Sequence, residues 1–541
     1  MTQEMAQKMA QENAVQKNAA AHSHGNPGDL LHLRFIRMAK RNWFSFAMAD
    51  TTGKKLTYGK TLIGGLILAR WLRGHCSGKE SIVGIMLPAS VGGALANVAV
   101  LLAGKTPVNL NFTAGKEAIQ SAIEQCSIGT ILTSRVFLTK AKLERIDGMV
   151  MLEDLMGRIT SWQKIRTALA AFLLPTWVLQ RLHNSGQAAT EALATVAFSS
   201  GSTGEPKGIM LTHRNILSNI EAMHQLFPLT SQDCIAGVLP FFHCFGFTCT
   251  LWFPLLTGAG VAYHSNPLDA KAVGELVFEH KATFMVGTAT FCNGYTRRCS
   301  REEFASLRHV IVGAEKLQEP VARAFREKFG VDLLEGYGST EMSPVVSVNV
   351  PGGGLKPGTI GRPLPGVSAK VVDLETGKPL PGNQEGLLLV NGPNRMAGYW
   401  GQPEKTAEVF RDGWYVTGDI AAIDEEGFLR ITDRLSRFSK IGGEMVPYIK
   451  VEEAINRILG DSCCAVTGIP DPQKGERLVV LYTRSDVAPE KLREQLLQTD
   501  LPRLWIPKRE SFYCVEALPT LGIGKTDLRK VKILAVQLSQ A

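Results

Sequence analysis

"AFSSGSTGEPKGIMLTH", residues 197–213, places an apolar lead before a run of Ser, Thr and Gly, with a lysine just ahead of "IML". Glycines let backbone N–H groups approach phosphate oxygens, hydroxyls add donors, and a lysine adds charge. The residues that would cradle a phosphate are Ser199, Ser200, Gly201, Ser202, Thr203, Gly204 and Lys207. The stretch is not a Walker A loop: Pro206 follows Gly201 by five places, and no Gly-Lys-Ser/Thr comes after it. A flexible surface loop is the plain alternative. The length of the loop and its Ser/Thr density favour the phosphate.

The strand leading into the loop, "TVAFSS", is one of many. "SIVGIML", "TPVNLN", "GTILTS", "CIAGVLP", "GVAYHS", "ATFMVG", "HVIVGA" and "DLLEGYG" are short apolar runs, mostly continuous rather than alternating. Continuous runs suit strands covered on both faces, as in parallel sheets. Helical periods such as "PVARAFREKFG" separate them, so residues 29–434 read as layered α/β. After Gly352 the texture turns Gly- and Pro-rich with short alternating strands, which predicts an antiparallel β-subdomain over about 345–435. Residues 439–541 form a smaller α+β unit, with strands "CCAVTGI" and "RLVVLYT" and helices "KVEEAINRIL" and "PEKLREQLLQ". The window 81–104 contains Pro88 and reads as a buried strand, turn and helix rather than a membrane span. The first 28 residues are polar, lack the apolar core of a signal peptide and read as a disordered tail.

Four further places bear chemistry. In "LLEGYGSTEMSP", Gly336-Tyr337-Gly338 can present a ring face to a flat base, and Thr340-Glu341 offers a hydroxyl beside a carboxylate, a set that suits phosphate and Mg²⁺. A turn with a buried tyrosine is the bland alternative. Asp419 follows Thr417-Gly418, and a fixed carboxylate can accept from both hydroxyls of a ribose. Lys525 lies in a Gly-rich loop near the C-terminus, where a mobile cation could reach a site; a solvated lysine is the common case. His243, in "LPFFHCFGF", is a gate, a carboxylate contact or a core histidine.

Composition adds bounds. At 541 residues the chain is too long for one core. Its net charge of +9 favours acidic partners, with a dispersed solvated surface as the alternative. The ten cysteines form no CxxC pair, which points to buried, reduced thiols rather than zinc ligands.

The order and wording of these motifs resemble the adenylate-forming superfamily: acyl-CoA synthetases, luciferases and peptide-synthetase adenylation domains. "GAEKLQEPV", "FGVDLLEGYGSTEMSPVVSVNVP", "KPGTIGRPLPG" and "RFSKIGGEMVPYIKVEE" are most similar to the bacterial acyl-[acyl carrier protein] synthetase type, which also forms the ligase half of 2-acylglycerophosphoethanolamine acyltransferase. No acyltransferase half is expected ahead of Asp29, since 28 residues cannot hold one.

The resemblance implies an α/β fold with a large N-terminal adenylation domain over 29–435, a hinge at 436–438 and a small mobile C-terminal domain over 439–541. It implies ATP and Mg²⁺. The loop 199–208 would close on the β- and γ-phosphates and Tyr337 would stack on adenine. Thr340 would contact the α-phosphate, Glu341 would hold Mg²⁺, and Asp419 and Arg434 would bind ribose. Lys525 would serve adenylation alone, and a domain rotation would then bring the 440–445 loop to a thiol tunnel. Two departures are mild: the loop opens Ser199-Ser200-Gly201 where Thr-Ser-Gly is usual, and Arg437 stands at the hinge where Asp or Lys is common.

The acyl pocket is expected near "PFFHCFGFTCTLWFPLLTG" and "FMVGTATFCNGY", which hold no acid to meet an ammonium, so a medium- or long-chain fatty acid is favoured over an amino acid. The expected acceptor is acyl carrier protein, with coenzyme A as the alternative. Nucleic acid is not expected as a partner, and the location expected is cytoplasmic. The apolar stretch 167–179 with Trp177, Lys164, Arg166 and Arg181 reads either as a peripheral contact with the inner membrane through 164–182 or as a buried helix pair broken at Pro175.

Overall fold

A computed structural model describes residues 29–76, 80–184, 190–199, 206–352, 354–434, 437–441, 444–460, 463–471, 475–520 and 526–540. The N-terminal tail, the loop residues 200–204, residue 436 of the expected hinge and Lys525 lie outside them. The chain divides into two units: Met1–Ala369 with Val390–Tyr415, and Lys370–Leu389 with Val416–Ala541.

The first unit is built on a nine-stranded sheet. Six of its strands, Leu333–Gly338, His309–Val312, Phe284–Gly287, Cys234–Gly237, Gly260–Tyr263 and Phe46–Asp50, run parallel in that spatial order. Most of their residues are buried, which is why they read as continuous apolar runs. Antiparallel strands close both edges. A second sheet of four parallel strands comes from residues 82–151. Within it the window 81–104 folds as strand Ile82–Ile85, a turn at Pro88 and the buried helix Val91–Leu102, started by Ser90 Oγ accepting from Gly93 N at 3.1 Å.

The third sheet departs from the parallel expectation. Leu193–Ser199 and Lys207–Thr212 form an antiparallel hairpin that pairs Ser199 with Lys207 across the loop mouth, and the short strand Gly398–Tyr399 adds to its free edge. Apolarity on both faces does not fix strand direction. Gly208 is closely packed: a Cβ there would sit 3.0–3.3 Å from Val196, Trp400 and Phe198, so these side chains would have to give.

In the core of the first unit Trp252, Tyr58 and Tyr263 are fully buried, and the Tyr58 hydroxyl lies within hydrogen-bond distance of the carbonyls of Pro254 (2.9 Å) and Ala259 (2.7 Å). The stretch 167–179 falls in two helices, Ser161–Leu173 and Thr176–His183, separated at Pro175 as expected. They are not a buried pair: Trp162 is 69% and Trp177 66% exposed.

Strands Trp414–Ile423 and Leu429–Arg434 form a hairpin in which Asp419 opposes Arg434, and from Val416 onward it belongs to the second unit. Its C-terminal sheet runs Glu444–Pro447, Phe438–Ile441, Gly475–Tyr482, Cys464–Asp471. Helices Tyr448–Leu459 and Leu528–Gln540 pack on that sheet. The strand Gly386–Asn391, whose last two residues fall in the first unit, is buried at five successive positions, so the region after Gly352 does not alternate throughout as its sequence texture suggested.

Candidate active site

The hairpin brings Lys207 to Tyr399. Lys207 Nζ lies 5.2 Å from the centre of the Tyr399 ring, a cation–π distance. The Tyr399 hydroxyl donates to Glu341 Oε1 at 3.0 Å. Burial, together with the Glu341 charge, raises the Tyr399 phenol well above its usual range, so it remains a donor at every working pH. Lys207, Tyr399 and Glu341 thus form one chain of contacts at the mouth of the loop.

Glu341 is placed by its backbone. It sits in the tight turn Thr340–Met342, directly after the strand Leu333–Gly338. The Glu341 carbonyl accepts from Met396 N at 2.7 Å. Asn394 Nδ2 donates to the carbonyls of Met342 (2.7 Å) and Val345 (3.0 Å), and Asn219 Nδ2 donates to Val345 O at 2.7 Å. Thr248 Oγ1 donates to Ser343 O at 2.9 Å. The turn is therefore held from three sides by side chains distant in sequence.

Gly336, Tyr337 and Gly338 end the strand. Tyr337 is half-buried and opposes Ser347 across the antiparallel edge. A Cβ at Gly338 would lie 2.1 Å from Pro344 O, so this glycine is required by a close backbone approach. Thr340 is half-buried, and beside it Ser339 Oγ is a buried hydroxyl with no partner among the described residues.

His243 directly precedes the short helix Cys244–Gly246 and lies against Phe242, with ring centres 4.7 Å apart. Phe241, Phe242, Cys244 and Phe247 line a cavity of about 10 Å³ with Asn109 and Thr195, room for one water at most. Burial pushes the Cys244 thiol up to about 12, with the Glu341 charge adding to the shift, so this loop and the turn share one electrostatic neighbourhood.

In the second unit Arg434 Nε donates to Asp419 Oδ1 at 2.6 Å, and Asp419 is buried. Thr417 fixes the approach: its hydroxyl accepts from Asp419 N (3.0 Å) and donates to Leu388 O (2.8 Å), while Gly418 takes φ +74°. Next to Arg434, burial raises the Asp433 carboxyl to about 7, and its Oδ2 has no partner among the described residues. Arg437 pairs with Glu452, whose Oε1 also accepts from Val466 N at 2.7 Å.

Lys207, Thr340, Glu341, His243, Gly336, Tyr337, Gly338 and Ser199 thus belong to the first unit, and Asp419 and Arg434 to the second. Ser200, Gly201, Ser202, Thr203, Gly204 and Lys525 fall outside the described residues. Sequence reasoning missed Tyr399, which enters through the pairing of Gly398–Tyr399 with the hairpin, and Asn394, which enters through its bonds to the carbonyls of Met342 and Val345. It also missed Glu335, whose signal was a carboxylate inside an apolar strand. The set of one carboxylate, hydroxyls and a lysine fits Mg²⁺ held jointly with phosphate oxygens, since Mg²⁺ commonly takes only one or two protein carboxylates.

The family model for AMP-binding enzymes matches residues 37–400. The chain belongs to this family. The long-chain-fatty-acid–CoA ligase of Bacillus subtilis is 29% identical to this AMP-binding enzyme over 513 residues, 88% of this chain and 90% of that protein. The long-chain-fatty-acid–CoA ligase of Escherichia coli O157:H7 is 34% identical over 352 residues, 63% of this chain and 62% of that one. Among solved structures, ATP-bound MatB from Rhodopseudomonas palustris superimposes with a TM-score of 0.76 at 25% identity, covering 94% of this chain and 99% of that one. The o-succinylbenzoate coenzyme A synthetase MenE from Bacillus subtilis, in complex with ATP and magnesium, gives 0.78 at 24% identity, over 92% of this chain and 98% of that one, and shows the same fold. The adenylate-forming superfamily and the mixed α/β fold expected from the motifs are both borne out.

Proposed function

We propose that this AMP-binding enzyme joins a fatty acid to coenzyme A in two steps, using ATP. In the first, a carboxylate oxygen attacks the α-phosphorus, the bond to the bridging oxygen breaks and pyrophosphate leaves. In the second, the thiol sulfur attacks the acyl carbon, the bond to AMP breaks and the thiol proton passes to solvent. The attacking carboxylate is already an anion, so positioning and charge neutralisation are the main demands.

The observation that carries the reading is the linked Lys207–Tyr399–Glu341 set at the mouth of a Ser/Thr/Gly loop. In this proposal the loop residues Ser199 to Gly204, with Lys207, hold the β- and γ-phosphates, and Thr340 contacts the α-phosphate. Tyr337, between Gly336 and Gly338, lies on adenine, Asp419 and Arg434 take the ribose, and His243 meets the substrate carboxylate. Glu341 would hold Mg²⁺, which when bound neutralises phosphate charge. Lys525 acts in adenylation, and the segment 439–541 turns about 436–438 between the steps.

The fatty acid is supported by the apolar character of 240–258 and 284–295 and by the activity of the Bacillus and Escherichia relatives, both long-chain-fatty-acid–CoA ligases. Those relatives are coenzyme A ligases, so coenzyme A replaces acyl carrier protein as the preferred acceptor. The test supplies ATP, Mg²⁺ and a long-chain fatty acid with either coenzyme A or holo-carrier protein. Faster thioester formation with coenzyme A is expected, and faster formation with the carrier protein would reverse the assignment.

A further inference from the structure

The helix Ser161–Leu173 is amphipathic in the wrong sense for a water-facing element. At about 100° per residue, Trp162, Ile165, Leu169, Phe172 and Leu173 fall within an arc of about 100°, and all five are more than half exposed. Arg166 borders that stripe, while Ala171, on the other side, is fully buried. The following helix, Thr176–His183, adds exposed Trp177, Arg181 and Leu182. At roughly 150–250 Å² for a large side chain, the five residues of the stripe expose on the order of 500 Å² of apolar surface, the size of the largest patch on a typical monomer, ~300–600 Å², and such patches are often functional.

The outward orientation is built in. The first helix starts with a capping box, in which Gln163 N donates to Thr160 Oγ1 (3.3 Å) and Thr160 N to Gln163 Oε1 (3.0 Å). It ends on Lys40, whose Nζ donates to the carbonyls of Ala171 (3.0 Å) and Phe172 (2.6 Å). Trp43 meets Phe172 edge-on at 5.2 Å. Gln180 Nε2 ties the second helix to Leu33 O at 3.0 Å.

Charge singles out the occupant. These two helices pack against Leu31–Arg41 and Tyr58–His75. The four helices together hold ten Lys and Arg and no Asp or Glu, so the rest of the chain, against a total of +9, sums to −1. No acid occurs between Asp154 and Glu191, or between Asp50 and Glu80. Two of the cations, Arg34 and Arg37, are ion-paired to Glu221 and Asp29. Aromatic and aliphatic side chains on one face, with cations beside them and no acids, match an interfacial helix on anionic lipid. No described helix is long and apolar enough to cross a membrane.

We propose that the 161–183 helix pair seats this protein on the surface of an anionic bilayer, with Trp162 and Trp177 in the headgroup region. Docking stands apart from the ligase reading, which gives it a purpose: delivery of a lipid-borne acid. The test is sedimentation of the full chain, without substrates, with vesicles of phosphatidylcholine alone or containing about one-third phosphatidylglycerol. At least tenfold stronger partition to the anionic vesicles is expected, falling steeply with salt. W162S/L169S/W177S and, separately, K164E/R166E/R181E should each reduce it tenfold or more. Both variants should keep the parent's melting curve and fatty-acid-dependent pyrophosphate exchange. Quenching of tryptophan emission by brominated lipid should be lost in W162F/W177F. Absence of vesicle binding would overturn the proposal, as would binding untouched by the triple substitutions, or a dimer that W162S/L169S/W177S dissociates. Loss of pyrophosphate exchange in the parent protein would instead strike the ligase reading.

Discussion

Glu341 shows how one carboxylate is prepared. Its carbonyl is fixed by Met396 N and its side chain by the Tyr399 hydroxyl, so its rotamer is set before any ligand arrives. Glu341→Gln should lower fatty-acid-dependent pyrophosphate exchange by about 100-fold or more. Tyr399→Phe keeps the ring beneath Lys207 and loses only the hydrogen bond. It should raise the Mg²⁺ concentration needed for half-maximal rate several-fold while leaving KM for the fatty acid nearly unchanged.

Glu335, in the strand that leads into this turn, is a buried carboxylate. Burial raises it to about 7, against the opposing effects of Leu317 N (3.0 Å) and Lys316. In the unfolded chain it titrates near ~4.3, so between about 4.3 and 7 the native state binds the extra proton. Its contribution to stability is then complete below the unfolded value and is lost as pH rises through about 7. Glu335→Gln should therefore flatten that part of the stability–pH curve and raise stability at pH 8 by up to roughly 3 kcal/mol, from ~1.4 kcal/mol per unit, as read by thermal melts. At this scale Lys207, Thr340 and Glu341 were legible because their types carry chemistry within motifs. Tyr399 was not, since an aromatic in "GYW" signals nothing until strand pairing brings it to Glu341.

At the scale of elements, the nine apolar runs became strands because continuous burial leaves a plain trace in sequence. What the trace lacks is direction: the hairpin that borders the loop is antiparallel, a property set by the partner strand. The close turn after Leu333–Gly338 yields a sharp test. Gly338→Ala drives a methyl into Pro344 O, 2.1 Å away, and should cost about 1–3 kcal/mol. Adenylation should fall more than the melting temperature suggests, because Thr340 and Glu341 follow directly on the displaced strand end. The 161–183 helices show the opposite limit. Their periodicity and the break at Pro175 were readable, but which face points outward depends on the helices beneath.

For the whole molecule, the domain rotation proposed above predicts a separation of half-reactions. Lys525→Ala should abolish acyl-adenylate formation yet spare thioester formation from supplied acyl-adenylate, measured in single turnovers. Equal loss in both would contradict a lysine that serves only one conformation. The overall architecture was legible because continuous apolar runs and helical periods leave their trace along residues 29–541. The acceptor was not, because a pantetheine thiol is the same group on coenzyme A and on a carrier protein. The central claim, activation of a fatty acid at its carboxylate by attack on the α-phosphate, is tested most directly by isotope exchange between pyrophosphate and ATP. With a long-chain fatty acid and Mg²⁺, and no thiol present, exchange should rise well above the acid-free rate and vanish in Glu341→Gln. Exchange that stays at the acid-free rate across fatty acids would contradict it.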